Sequence, residues 1–519
     1  MKIHFGGRRG SGAMRTKAWF GLGLLLVGAA WLGYDALAKA DNPVAQLPEP
    51  ERWIEHLEQD LMPFWMHADA RGVPKGAYPT FRCRDGSVLN VEAPCPELAQ
   101  APSWVRDYID RDYTRMRSRQ AYTYGVAFHM TGKPEYLALA KAGVNWIREH
   151  ALDPETGSAI SYWHDGEPGP ATLARNTQDL AYAQLGMAMY YYLTRDPDVR
   201  EDILRLKRHI FTVYYDPAHD ELRWTVEGEE AGQRELVAQL DQINAYMLLL
   251  APILPQPYQA EWKRDLNWLS ELLIRDYYSD THNIFWGTLG ASDSDAWGAR
   301  HNDFGHSIKA FWMIHQVGTI TGNRRLIDFA APRAARMLAD AFVEEGGHWA
   351  NRPLENGIDT TPVWWAYAEL DQTAATLALQ DPEQARYLPA TYQFWLDNMV
   401  DRKYGGVWGH YNEDGEHESS PKAHLWKNGY HEAEHALVAL ITTAALRNES
   451  VDLYFAPTVA EAELELRPYF SKARRKLSPL KRWAQSRVIV VSGCVFPSCA
   501  KADRRCAQEG AACDGLTAW

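Results

Sequence analysis

Apolar positions along this chain recur mostly at the three- and four-residue spacing of helices that face a core. After Pro134, the residues Leu137, Ala140, Val144 and Ile147 share one helical face, and the proline stands where a helix can begin. A second segment carries Ala181, Leu185, Ala188, Met189 and Tyr192 and stops before Asp196-Pro197. The pattern predicts a third helix starting near Asp303 and a fourth following Tyr430. Strand-like alternation is scarce; Arg487 to Val491 is the clearest case, and it lies outside the helical region. Turn clusters separate the segments, among them Asp153-Pro154-Glu155-Thr156-Gly157, Asp216-Pro217, Asp280-Thr281-His282-Asn283 and Asp401-Arg402-Lys403-Tyr404-Gly405-Gly406. Helix pairs closed by such recurrent turns favour a helical ring over a bundle. From about Glu51 to Arg447 no Gly/Ser/Pro linker divides the chain, so one large domain is expected to take up most of the 519 residues.

The two ends read differently from this middle. Residues 1–40 have the layout of an export signal: basic Arg8, Arg9, Arg15 and Lys17, an apolar run from about Trp19 to Leu32, then Ala38-Lys39-Ala40. The run is shorter than the roughly 20 residues of a spanning helix, so cleavage after Ala40 is expected and, with it, a periplasmic or secreted protein. If the segment is retained, it is the one point of membrane contact, an inner-membrane anchor. Residues 450–519 form a C-terminal extension, basic first (Lys472, Arg474, Arg475, Lys476, Lys481, Arg482, Arg487) and then Cys-rich (Cys494, Cys499, Cys506, Cys513). The basic stretch reads as a solvated tail. With Cys83 and Cys95 the cysteine count is even, which suits disulfides, and no Cys-x2-Cys pair suggests a metal site.

Charge narrows the partners. The chain carries 67 acidic against 54 basic residues, a formal −13, and loss of residues 1–40 removes mainly basic ones. A nucleic-acid partner is therefore not expected. Its 21 tryptophans and 26 tyrosines are a heavy aromatic load, and in a helical ring they suit the C–H faces of sugar rings as well as core packing.

Two segments share a design: Asn302-Asp303-Phe304-Gly305-His306-Ser307-Ile308-Lys309 and Trp426-Lys427-Asn428-Gly429-Tyr430-His431. In each, a glycine closely precedes a histidine at the predicted start of a long apolar helix. The positive end of a helix dipole disfavours imidazolium, so His306 and His431 are expected to be neutral and able to accept a proton. Facing one cavity, they would form a proton-transfer pair.

These motifs resemble the N-acylglucosamine and cellobiose 2-epimerase family. Gly305-His306 resembles its Gly-His-x-x-Glu segment, and Trp426-Lys427-x-x-Tyr430-His431 its Trp-Lys-x-x-Tyr-His-x-x-Arg segment. Arg119-Gln120-x-Tyr122, Trp364-Trp365-x-x-Ala368-Glu369, and Tyr404-Gly405-Gly406-Val407 with Asn412-Glu413-Asp414-Gly415 continue the likeness in order. The resemblance implies an all-α fold, an (α/α)6 barrel or six-hairpin toroid over residues 41–449, with a sugar or oligosaccharide site at one end. It implies no cofactor and no metal. His306 and His431 would be the bases that remove and return the proton at carbon 2 of an aldose, and Arg119 would stabilise the enediolate. Tyr122, Trp365, Glu369, Trp426 and Lys427 would bind the sugar.

The sequence departs from the family pattern at polar positions. Lys309 stands where the family has glutamate, Asp241 and Asn244 where it has histidine and glutamate, and Glu434 where arginine is common. Lys309, one turn from His306, would hold that histidine neutral and attract an acidic sugar, with Asp241 also at the substrate. Two other readings use the same scaffold. One is a periplasmic hydrolase or lyase drawing on Asp179, Asp241, Asp303 and Glu369; the other is a non-catalytic polysaccharide-binding component.

Overall fold

Burial separates the helices into two classes that alternate along the chain. The computed structural model describes residues 42–470 apart from 291–296, 298 and 459–465, and beyond them the backbone of two strands, Ala473–Trp483 and Ser486–Val495. Among the described residues twelve helices build the ring. They are α1 (Pro50–Glu55, running on through His56–Leu61 to Met62–Trp65), α2 (Thr114–Thr131), α3 (Pro134–Trp146), α4 (Thr177–Thr194), α5 (Pro197–Val213) and α6 (Leu236–Gln242, running on through Ile243–Met247 to Leu248–Leu250). The second half comprises α7 (Tyr258–Leu272), α8 (Phe304–Thr321), α9 (Arg324–Ala341), α10 (Trp364–Ala378), α11 (Leu388–Phe394) and α12 (Tyr430–Arg447).

The even-numbered helices are buried on nearly every face, and the odd-numbered ones bury a single stripe. In α5, for example, Val199, Ile203, Leu206 and Ile210 are buried while Asp198, Glu201 and Arg208 face solvent. An amphipathic helix has one face to hide, and each apolar side chain hidden contributes about 1.5–3 kcal/mol, so the odd helices must lie outside. Helices buried all round, including α2 with its Arg115, Arg117 and Arg119, lie inside. Each even helix packs on the next, and α12 closes on α2, which completes the (α/α)6 barrel that the family resemblance implies. Short antiparallel hairpins bridge the helix pairs.

The predicted boundaries have visible causes. Asp196 caps α5 with its side chain and Pro197 occupies the first turn, while Arg195 ends α4 in the left-handed conformation. Asp303 caps α8 in the same way. The predicted strand Arg487 to Val491 lies within Ser486–Val495, the central strand of a three-stranded antiparallel sheet with Ser450–Phe455 and Ala473–Trp483.

Two segments outside the repeat bear on the site. Residues 67–110, between α1 and α2, are closed by a Cys83–Cys95 disulfide and pack through a small cluster of Phe81, Leu98, Ala101 and Val105 with Met116 and Leu425. Residues 466–470, in the stretch that the sequence sets apart as an extension, pack into the barrel: Leu466, Tyr469 and Phe470 join the main core. No described helix is long and apolar enough to cross a membrane. The expected export signal, the side chains of the basic stretch and of Cys494, and the residues Cys499, Cys506 and Cys513 lie outside what the structure describes.

Candidate active site

The first two turns of the inner helices converge on one cavity of about 370 Å3. Its wall takes Arg119 from α2, Gln178 and Tyr182 from α4, Asp241 from α6, His306 and Lys309 from α8, Trp364 and Trp365 from α10, and His431 from α12. Every inner helix thus directs its N-terminus at the same space. The partial positive charges of six helix ends favour a negative charge developing there.

His306 and His431 are brought together as expected. The ring of Trp365 touches both, at centroid distances of 4.5 Å to His306 and 6.1 Å to His431. The shared glycines have a cause in packing. A Cβ at Gly305 would sit 2.5 Å from the Trp365 ring, and one at Gly429 would sit 2.7 Å from the Trp65 ring. Only glycine lets those indoles lie flush against the two helix starts.

The environments of the two histidines differ, and this corrects the expectation of two alike. Asp303 accepts from the His306 backbone N–H at 2.7 Å with one oxygen and holds Nδ1 at 2.8 Å with the other. One carboxylate therefore caps the helix and fixes the imidazole, leaving Nε2 for the cavity. Burial opposes ionisation of Asp303, but the His306 ring and N–H outweigh it and keep its carboxyl below the usual range. His431 has no such anchor: its Nδ1 lies 3.4 Å from Glu369 Oε1 and makes no hydrogen bond. Burial first, then the charges of Arg119, Lys309 and Lys427, hold His431 well below the ordinary histidine pKa.

The departures from the family pattern prove to be neighbours. Lys309 Nζ donates to Asp241 at 2.7 Å and to the Tyr182 hydroxyl at 3.1 Å, and Gln178 donates to Asp241 at 2.7 Å. Burial works against both charges. Even so, Asp241 raises the Lys309 pKa above that of ordinary lysine, and Lys309 keeps Asp241 below the usual carboxylate range. The expected surplus cation at position 309 is therefore corrected: a buried carboxylate matches it. Arg119, also on the cavity wall, forms no ion pair with a carboxylate among the described residues. It stacks 4.1 Å over Tyr182, donates to the Trp426 carbonyl at 2.6 Å, and has a buried Nε with no partner. Asn244 does not line the cavity; its amide donates to the Tyr430 hydroxyl at 2.9 Å.

Of the residues expected at the sugar, Trp426 and Trp365 line the cavity, whereas Tyr122, Glu369 and Lys427 lie behind its wall. Tyr122 bonds to Glu434 and to the Tyr469 hydroxyl, and Lys427 is ion-paired to Glu432 at 2.6 Å. Asp179 is likewise withdrawn, paired to Arg115 at 2.5 Å. Glu369, His431 and Glu434 bring possible metal-ligand atoms within 4.8 Å of one another. Burial raises both carboxyls, Glu369 to about 8 against the opposing Lys309 charge, so the pair suits a shared proton. Further residues line the cavity without having been singled out: Gln178, Tyr182, His301, Arg352 and Trp104.

Comparison with known proteins agrees with the fold. The sequence profile of the family described as N-acylglucosamine 2-epimerase (GlcNAc 2-epimerase) matches residues 106–434. A cellobiose 2-epimerase of Ruminococcus albus is 25% identical over 345 residues, covering 61% of this chain and 84% of that protein. One from Dictyoglomus turgidum is 22% identical over 402 residues, covering 73% and 94% respectively. The solved structure of cellobiose 2-epimerase from Bacillus thermoamylovorans B4167 shares the fold with a TM-score of 0.61 at 16% identity, over 75% of this chain and 98% of that one.

Proposed function

The chain belongs to the N-acylglucosamine 2-epimerase family, and on that premise we propose that it is a sugar 2-epimerase. It would move a proton at carbon 2 of an open-chain aldose or of an oligosaccharide reducing end. The observation that carries this reading is that His306 and His431 line one cavity, with Trp365 in contact with both rings.

Inversion at carbon 2 needs one group to take the proton from one face and another to supply a proton to the opposite face. Two neutral imidazoles cannot do both at once, so the unequal surroundings matter. His431, kept deprotonated by burial and nearby cations, suits the accepting role. His306, with a carboxylate on Nδ1, suits the role that carries a positive charge. Between the two steps the negative charge rests on the enediolate oxygens. Arg119, which lines the cavity, and the converging helix ends favour such a charge.

A hydrolase would use the carboxyls that reach the cavity, Asp241 and Asp303. Hydrolysis needs one of its two acids protonated near neutral pH. Both are held below the usual range, and the raised carboxyls Glu369 and Glu434 lie behind the wall. This favours the epimerase. Residues 1–40, read as an export signal, add that the sugar is met in the periplasm or outside the cell.

Incubation with a panel of neutral and acidic sugars in heavy water, followed by proton NMR, tests the proposal. Deuterium at carbon 2 together with the carbon-2 epimer is the expected result. New reducing ends without deuterium uptake would overturn it in favour of hydrolysis.

A further inference from the structure

We propose that residues 67–110 add a second sugar-binding subsite at the mouth of the cavity. Trp104 is its platform, and the outer units of an oligosaccharide stack there while the reducing end occupies the cavity between the histidines. The proposal rests on the reading of the cavity as a sugar site, but not on the reaction performed there.

Trp104 combines two properties that seldom coincide. It lines the cavity, yet 52% of its surface is exposed, where a large aromatic side chain would ordinarily be drawn into the core. It is not a loose surface residue. It sits in a short helix, Ser103–Arg106, whose next residue, Val105, is buried with Phe81, Leu98 and Leu425. The Cys83–Cys95 disulfide closes the segment that supplies Phe81 and Leu98. Val105 anchors the turn and Trp104 is held outward.

A row of rings leads inward from it. Trp104 meets His424 edge-on at 5.4 Å, and His424 meets Trp364, a cavity-wall residue, at 6.3 Å. Burial, then Lys427 and Arg119, lower the His424 pKa to about 3, so this link is an uncharged ring. Sugars offer apolar C–H faces flanked by hydroxyls, and an exposed indole matches that pattern with its face and its N–H. Size is compatible: about 370 Å3 is near the lower end of the roughly 300–1,000 Å3 of small-molecule sites, which leaves the outer units of a longer oligosaccharide for the exposed ring. Trp104 lies just outside residues 106–434, the stretch matched by the family profile, so that profile does not account for it.

Calorimetric titration of the full chain with β-1,4-linked glucose oligosaccharides of two and four units tests the subsite. The four-unit sugar is expected to bind about tenfold more tightly than the two-unit sugar, with Trp104→Ala losing that gain and Trp104→Phe keeping most of it. Absence of any gain with length in the wild type, or a gain that persists in Trp104→Ala, would overturn the proposal. Because binding is read rather than turnover, a length-dependent gain without deuterium at carbon 2 would refute the epimerase reading and leave the subsite standing.

Discussion

The two ends of the barrel solve opposite problems with the same helices. At one end the first turns of all six inner helices leave a cavity, and its wall carries Arg119, Asp241, Asp303, His306, Lys309 and His431. At the other end the chain returns after α12 and fills the space. Phe470 meets Trp312 edge-on at 5.8 Å, and Tyr469 reaches as far as Glu434, one turn beneath His431. Most of the charge at the open end is paired, Lys309 with Asp241 and His306 with Asp303, while Arg119 is held by stacking on Tyr182 and by the Trp426 carbonyl. The closed end needs no such pairing, since its packing is largely aromatic and aliphatic. The comparison teaches that the open end is organised for a reaction and the closed end for stability. Substitutions at the open end should therefore alter turnover, with or without stability, and those at the closed end stability alone.

The largest effect is expected from the histidines themselves. His306→Asn and His431→Asn should each lower turnover by roughly 10²–10⁴-fold, with little change in the thermal midpoint. A variant that unfolds instead would make the open end a structural device. The next effect is on stability, and it comes from the open end too. Lys309→Met strands a buried carboxylate and should cost about 3–5 kcal/mol in urea denaturation, much of it recovered when Asp241→Asn is added. Equal costs for the single and double variants would mean that the two positions are not a pair.

At the closed end Phe470→Ala should lower stability by about 3 kcal/mol and leave the pH profile of turnover in place. A shifted profile would show the two ends to be coupled. The smallest effect is on pH. In the proposed mechanism the neutral form of His431 accepts the proton, so activity should fall as pH drops through its pKa, which lies well below that of ordinary histidine. Lys309→Met removes a nearby positive charge and should raise that pKa, moving the acid limb of kcat/KM toward higher pH. Movement toward lower pH would contradict the assigned electrostatics.

Much of this architecture was legible in the sequence because helices announce themselves by period. Which helices were inner was less legible: α2 is buried throughout, yet it carries Arg115, Arg117, Arg119 and Gln120. The two histidines were legible through their shared glycines, for which the structure supplies a packing reason. Depth was not legible. Tyr122 lies three residues beyond Arg119, Glu369 four beyond Trp365, and Glu434 three beyond His431. Each shares a helix face with a cavity residue but sits about 5 Å further down the barrel, and spacing fixes the face without fixing which turn meets the cavity.

Pairing across helices was equally hidden. Asp241 and Lys309 are 68 residues apart, and each looked like a separate departure until the ring placed them 2.7 Å from one another. Asp303 was visible three residues before His306, where a capping aspartate can also reach a side chain on the first turn. Trp104 left no signal, since an exposed tryptophan in an irregular segment has no period to mark it.

The most direct measurement is exchange of the carbon-2 hydrogen in heavy water, followed separately from each of the two epimers, in His306→Asn and His431→Asn. Two bases working on opposite faces predict that each variant loses interconversion yet still exchanges the hydrogen of one epimer, a different epimer for each variant. Loss of exchange from both epimers in both variants, or continued interconversion in either, would contradict the two-histidine mechanism.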